Sequence, residues 1–389
     1  LPCERTDPGR RPLGAARAWL NTMTAPAGKR LISLDALRGF TIAAMVIVND
    51  PGSWSHVYWP LLHAKWNGCT ITDLIFPFFL FIVGVSIALA YTKRLDAGVS
   101  RKSLYKKVLI RSFNIYALGI FLWLWPEFNF GEIRWVGVLP RIAFVFLACA
   151  LLFLNTSWKQ QIKIGSGILL IYWIWVAYIP VPGIGRPDLG VPEHNWANYM
   201  DTLILPGVMW QKTWDPEGIL STFPAIVSGI IGMLIGKLYL TVKEENKRLV
   251  YLYFTGFALF LAGGLWNWFF PINKNIWSSS YVLYTSGLGT LALATCILVV
   301  DVWGYTKWTF LGRVYGANAI TSYVLAGMLT LVFYRMHIGE ASLNVHFMEG
   351  LAAVGFAPKL ASLLYAVLYM LLIFIPALVL YRKKIFISI

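Results

Sequence analysis

The sequence predicts an all-α polytopic membrane protein with about ten transmembrane helices and both termini cytoplasmic. Three observations predict it. Of 389 residues, 58% are hydrophobic and only 13% charged, and the mean hydropathy is +0.64; soluble domains carry about a quarter of charged residues. The apolar residues gather into runs of about 20, the length that crosses a bilayer as a helix. The chain also carries 18 Trp and 19 Tyr, rings favoured where hydrocarbon meets water. A transmembrane barrel would show ~10-residue alternating segments instead, and these are absent.

Ten segments satisfy the length rule: 31–50, 70–92, 107–125, 136–155, 162–180, 218–240, 249–268, 279–300, 314–334 and 359–381. Their connections alternate in character. One set is basic: Lys29-Arg30; Lys93-Arg94 through Arg111; Lys159 and Lys163; Lys237, Lys243, Lys247 and Arg248; Lys307 and Arg313; Arg382-Lys383-Lys384. The other set, 51–69, 126–135, 181–217, 269–278 and 335–358, is richer in acids and Trp. Basic loops stay cytoplasmic, so the second set faces outward. Residues 1–28, polar and rich in Arg and Pro, read as a disordered or non-native N-terminal extension. Residues 29–389 form the transmembrane domain. The outer loop 181–217, punctuated by Pro182, Pro187, Pro192 and Pro206, is long enough to cap a site.

The net charge of +15 follows from basic loops and lipid contact, so nucleic acid is not expected as a partner. Cys3, Cys69, Cys149 and Cys296 are scattered with no CxxC pair, so neither a metal centre nor a disulfide framework is expected. A metal held by His56 and His63 lacks a further ligand at suitable spacing.

The chemistry concentrates between the first two spans, in Asn49-Asp50-Pro51-Gly52 and His63 through Asp73. Polar groups crowded at a membrane mouth point to function. The imidazole of His63 can move a proton near neutral pH or act as a nucleophile. The amide of Asn49, at the end of the first span, can hold a carbonyl oxygen. Asp73 opens the second span, where an acid also suits a helix N-terminus. A solvated loop is the competing reading of the same residues. Asp215 and Glu217 precede the sixth span and can cap it or bind a cationic or hydroxyl-rich ligand. Arg38, Arg111, Arg141 and Arg313 lie in or beside apolar runs. They can hold phosphates or extend to lipid headgroups.

At these positions the sequence resembles the heparan-α-glucosaminide N-acetyltransferase family, the bacterial relatives more than the lysosomal enzyme. The resemblance rests on Ser33-Leu34-Asp35-Ala36-Leu37-Arg38-Gly39, Val48-Asn49, His63-Ala64-x-Trp66-Asn67-Gly68-x-Thr70-x-x-Asp73-Leu74 and Pro77-x-Phe79-x-Phe81-Ile82-x-Gly84-x-Ser86. Asp215-Pro216-Glu217-Gly218 and Pro271-Ile272-Asn273-Lys274-Asn275 with Trp277 extend it. It implies acetyl transfer from cytosolic acetyl-CoA, without a metal, to the amine of a terminal glucosamine across the membrane. His63 would be catalytic, as base or acetyl carrier, assisted by Asn49. Trp66, Asn67, Asp73, Asp215 and Glu217 become candidate acceptor-binding residues, and Arg38, Arg111, Arg141 and Arg313 candidates for the CoA phosphates. The expected setting is a bacterial inner membrane, with an amino-sugar acceptor and the lipid bilayer as partners and a homodimer allowed. The Asn-to-His loop is longer than in the lysosomal form. O-acetylation of a surface glycan and sugar transport stand as alternatives, although no internal repeat of the transporter kind is visible.

Overall fold

A computed structural model describes residues 31–387; the 1–28 extension lies outside the described residues. The chain is helical almost throughout. In order, α1 (Ile32–Asn49), α2 (Thr72–Asp96), α3 (Arg101–Leu124), α4 (Val138–Asn155) and α5 (Trp158–Tyr178) cross back and forth. The short α6 (Trp196–Ile204) lies within the 181–217 loop. Next come α7 (Ile219–Thr241), α8 (Glu245–Trp266) and α9 (Ser279–Cys296), which a π-helical turn, Ile297–Val302, extends. A broken pair, α10 (Phe310–Ala317) and α11 (Ala319–Arg335), leads through a two-residue hairpin, β1 (His337–Ile338) and β2 (Ala341–Ser342), into α12 (Leu343–Ala353) and the final α13 (Pro358–Arg382).

Among the described residues, nine helices are long and apolar enough to span a membrane. The protein is therefore an all-α polytopic membrane protein. Hydropathy locates these spans well and their polar ends less well. The helix expected from 107 starts at Arg101, because a charged first turn, capped by Ser100 accepting from the Ser103 N–H, carries no apolar signal. The helix expected from 162 starts at Trp158 behind a Ser157/Gln160 capping box.

The segment 314–334 departs from a straight span. The 3₁₀ turn before α10, α10 itself and α11 together pass the spanning test, but the two parts meet at 76°. The break falls at Asn318, whose backbone leaves the helical region (φ −132°, ψ 50°). Its side chain instead holds the chain after α13: the amide donates to the Ile385 carbonyl (3.0 Å) and its oxygen accepts from the Ile387 N–H (2.8 Å). Hydropathy registers the apolar content of both halves and is blind to that bend.

In a bilayer, helices associate through close packing more than through exclusion of water, so small residues mark the interfaces. A Cβ at Gly39 would lie 1.7 Å from the Gly312 carbonyl oxygen, and one at Gly84 would lie 2.0 Å from that of Gly229. Glycine at both positions brings α1 against α10 and α2 against α7. Of their most apolar 18 residues, 67% in α2 and 72% in α7 are buried, against only 17% in α3 and 22% in α8. The first pair is thus the bundle centre, and the second offers its sides to lipid.

Candidate active site

The loop from Asn49 to Asp73 is folded back by its own polar groups. Thr70 Oγ1 donates to the Leu62 carbonyl (2.7 Å) and Thr72 Oγ1 to that of Pro60 (3.2 Å). Asp73, on the first turn of α2, gathers the rest. Its Oδ2 accepts from the N–H groups of Ala64 (2.9 Å) and Thr70 (3.0 Å), and Thr70 Oγ1 lies 3.1 Å from it. Its Oδ1 faces His63 Nδ1 at 2.7 Å. The Asp73 side chain is 1% exposed and that of His63 48%, so a buried carboxylate presents an accessible imidazole. The hydrogen bond assigns the tautomer: Nδ1–H donates to Asp73, and the Nε2 lone pair is directed elsewhere. A base oriented by a third group is the arrangement that activates nucleophiles in many enzymes.

Pro77 contributes indirectly. It has no N–H, so the Asp73 carbonyl, four residues earlier, lacks its helical donor. The buried Tyr281 hydroxyl of α9 donates to that carbonyl instead. The start of α2, and with it Asp73, is thereby fastened to α9.

A second loop, between α8 and α9, pairs with the first. Gly68 N–H donates to the Ile272 carbonyl (2.7 Å), Asn273 Nδ2 donates to Asn67 Oδ1 (2.9 Å), and Gly68 bridges Asn273 in parallel. This pairing delivers Lys274, whose Nζ lies 3.0 Å from His63 Nδ1, 3.3 Å from Nε2 and 3.7 Å from Asp73 Oδ1. Burial pushes the Lys274 amine below the usual lysine range, while the carboxylates of Asp73 and Glu217 pull it back up. Cys69 is no rival nucleophile, since burial and Asp73 push its thiol up to about 12, far from the thiolate needed for attack.

The 181–217 loop closes over the same region. Trp66 Nε1 (2.8 Å) and Asn67 Nδ2 (3.1 Å) both donate to the Leu189 carbonyl, and Trp66 meets Trp214 edge-on at 5.1 Å. Trp66 is buried with Trp214, Leu220, Phe270 and Ile276. It and Asn67 therefore tie the loops together.

Other predicted residues lie elsewhere. Asn49 ends α1 with an exposed side chain, and no hydrogen bond to His63 occurs among the described residues. Its neighbour Asp50 turns inward, where Thr330 donates to it and burial pushes its carboxyl up to about 7. Asp215 and Glu217 are engaged by Arg134. The guanidinium forks onto both Asp215 oxygens (Nε–Oδ2 2.7 Å, Nη2–Oδ1 2.6 Å), and Nη2 reaches Glu217 Oε2 at 2.6 Å. Burial opposes the charge on Asp215, but Arg134 holds its carboxyl below the usual range; burial likewise opposes the Arg134 charge, and Asp215 raises it. The Asp215 side chain is 0% exposed and also accepts from the N–H groups of Trp210 and Glu217. It is a clamp between loops with its oxygens occupied.

The four arginines do not share one place. Arg38 and Arg111 line a cavity of about 270 Å³ together with Arg94, Ser86, Tyr91 and Asn318. Arg38 Nη2 donates to Ser86 Oγ (2.7 Å), and the Arg111 guanidinium lies 4.8 Å over the Phe146 ring. Ser86 is thirteen residues beyond Asp73 on α2, so this cavity sits about 20 Å along the helix from His63. Arg313 is not among its lining residues. Arg141 is at the His63 end, fully buried, donating to the Gly218 carbonyl (3.0 Å) and Ser221 Oγ (2.5 Å) below Trp277. Its place follows from the chain order: α4 starts at that end, and Arg141 is in its first turn. Lys274, Arg134 and Arg94 are the residues that sequence reasoning passed over. Lys274 and Arg134 are cations in segments otherwise lacking the basic character of the opposite face, and that exception was the signal available for them.

Fold and site together define a polytopic membrane protein with an accessible, carboxylate-oriented histidine at one mouth and an arginine-lined cavity toward the other. Residues 30–263 match the family model described as heparan-alpha-glucosaminide N-acetyltransferase, catalytic, and the chain belongs to this family. It is 30% identical over 406 residues to the mouse heparan-alpha-glucosaminide N-acetyltransferase, covering 87% of this chain and 60% of the mouse protein. It is 32% identical over 359 residues to the human one, covering 76% and 52%. The chain thus spans little more than half the length of these relatives.

Proposed function

We propose that the protein transfers the acetyl group of acetyl-CoA, received at the arginine-lined end, to the amine of a terminal glucosamine or related amino sugar at the His63 end. The observation that carries this reading is the accessible His63 imidazole held by the buried Asp73 carboxylate, in a chain of this family. Nε2 of His63 takes a proton from the acceptor ammonium. The freed amine attacks the thioester carbonyl, the new C–N bond forms, the C–S bond breaks, and the second proton released by the nitrogen passes to the departing sulfur, so that CoA leaves as its thiol and the product is the neutral amide. The Asn49 amide, exposed at the end of α1, would have to turn toward His63 to donate to the oxyanion that develops on the carbonyl oxygen. An acetyl-His63 intermediate is the other route open to the same atoms.

Arg38, Arg94 and Arg111 suit the CoA phosphates, since guanidinium forks match phosphate geometry. For the pantetheine arm to reach His63 the helices would have to part along a gap lined by Ile42, Met45, Val138 and Tyr323, which now holds only about 10 Å³. That gap shares Phe79, Ile142 and Ile320 with the arginine cavity. On the acceptor side Trp66 and Asn67 frame the mouth, under a cap formed by residues 181–217, while Asp215 and Glu217 support it through Arg134. With basic loops inside, the arginine end faces the cytosol and His63 the outside of a bacterial inner membrane.

The test uses purified protein, labelled acetyl-CoA and a panel of amino sugars and hydroxyl-only sugars. N-acetylated amino sugar is the expected product. Transfer to hydroxyl groups alone, or sugar flux into liposomes without acetylated product, would overturn the reading.

A further inference from the structure

Lys274 reaches the site from a loop two hundred residues away in sequence, and the acetyl-transfer step above makes no use of it. Its Nζ is nearly equidistant from the two ring nitrogens of His63, at 3.0 and 3.3 Å. Those nitrogens flank a single carbon, so Nζ sits on that side of the ring, within hydrogen-bonding distance of both. The Nδ1–H is committed to Asp73. The contact places a cation against the ring, and an acceptor amine that reaches Nε2 meets it beside Lys274 Nζ.

The charges around the ring decide what this cation does. A carboxylate 2.7 Å from an imidazole favours the imidazolium, and an ammonium at similar range disfavours it. An imidazole already protonated by solvent cannot take the acceptor's proton. The other ionisable groups facing the pair leave the balance to Asp73 and Lys274. The Cys69 thiol is neutral, and Glu217 is paired with Arg134. The Lys274 side chain is 15% exposed, so solvent weakens its effect less than it would on an open surface.

We propose that Lys274 is a positioning residue of this site: its ammonium offsets Asp73, so that Asp73 can orient His63 without protonating it and the imidazole meets the acceptor amine as a neutral base. The inference rests on the acetyl-transfer reading.

The experiment compares pH profiles of kcat/KM for wild type, Lys274→Arg, Lys274→Gln and Lys274→Met with acetyl-CoA and glucosamine. In Lys274→Met and Lys274→Gln the acid limb is expected to move to higher pH by about one unit or more, with activity partly regained under alkaline conditions. Lys274→Arg should keep the limb near its wild-type position. Uniform loss at every pH with the limb unmoved would make Lys274 a structural tie and overturn the inference, as would an unchanged profile. Should Lys274→Met fail to fold, the limb of Lys274→Gln decides by the same criterion. A histidine NMR titration, with the His63 signal identified by its loss in His63→Gln, reads the same change without turnover. A signal that moves in Lys274→Gln while wild type transfers no acetyl group would sink the acetyl-transfer reading alone. A signal that stays put while wild type is active would sink this inference alone.

Discussion

The two ends of the bundle treat charge differently. At the His63 end, cations and carboxylates are matched across loops: Lys274 with Asp73, and Arg134 with Asp215 and Glu217. At the other end, Arg38, Arg94 and Arg111 surround a cavity, and of these Arg38 is paired with Asp35 at 3.2 Å. Balanced charges build a rigid frame and hold one imidazole in one orientation. An excess of one sign makes a receptor for the opposite sign. The contrast separates an end framed by loop-to-loop ion pairs from a cavity lined by three arginines, about 20 Å apart along α2.

The largest expected effect tests the balanced end. His63→Ala should lower kcat by about 10²–10⁴, the range of a lost general base, with KM for acetyl-CoA and the melting temperature in detergent unchanged. A variant that keeps wild-type turnover would remove His63 from the chemistry. The next tests whether the matched charges are frame or ligand. Arg134→Gln strands two buried carboxylates, and breaking a buried pair costs about 3–5 kcal/mol, so the protein should melt well below wild type. A normal melting curve with weakened acceptor binding would instead return Asp215 and Glu217 to the acceptor.

The opposite end is tested by Arg111→Met. A charged hydrogen bond is worth about 1.5–3 kcal/mol, so KM for acetyl-CoA should rise roughly 10–100-fold. KM for a donor truncated to acetyl-pantetheine should not change. Equal effects on both donors would mean the arginine supports the fold. The smallest effect concerns Asp201 on α6, whose carboxyl burial pushes up to about 7 while its Oδ1 accepts the Ile219 N–H. A raised carboxyl binds its proton more tightly when folded, so its stabilising contribution is full below about pH 4 and is lost as pH rises through about 7. Asp201→Asn keeps the acceptor oxygen and removes the titration. It should melt a few degrees above wild type at pH 8 and alongside it at pH 4; a deficit at pH 8 would show that the ionised carboxylate is needed.

Much of this protein was legible along the chain, because a bilayer imposes a local rule. Each span must be apolar over its own length and satisfy its own backbone, and hydropathy reads that directly. His63 and Asp73 were legible too, as polar residues out of place at a membrane mouth, and so were Arg38 and Arg111. The sequence by itself thus determined the spans and marked out the polar and charged residues that the fold gathers at the two ends.

Tertiary structure alone decided how those residues are used. It delivered Lys274 to His63 and Tyr281 to the carbonyl that Pro77 leaves unpaired. It gave Asp215 and Glu217 to Arg134, parted Arg141 from Arg38, and bent the chain at Asn318. Each of these joins residues far apart in sequence, through loops and glycine-lined helix contacts. No periodicity records such a meeting, because it depends on which helices pack together and how closely, a property of the whole bundle and of no single segment.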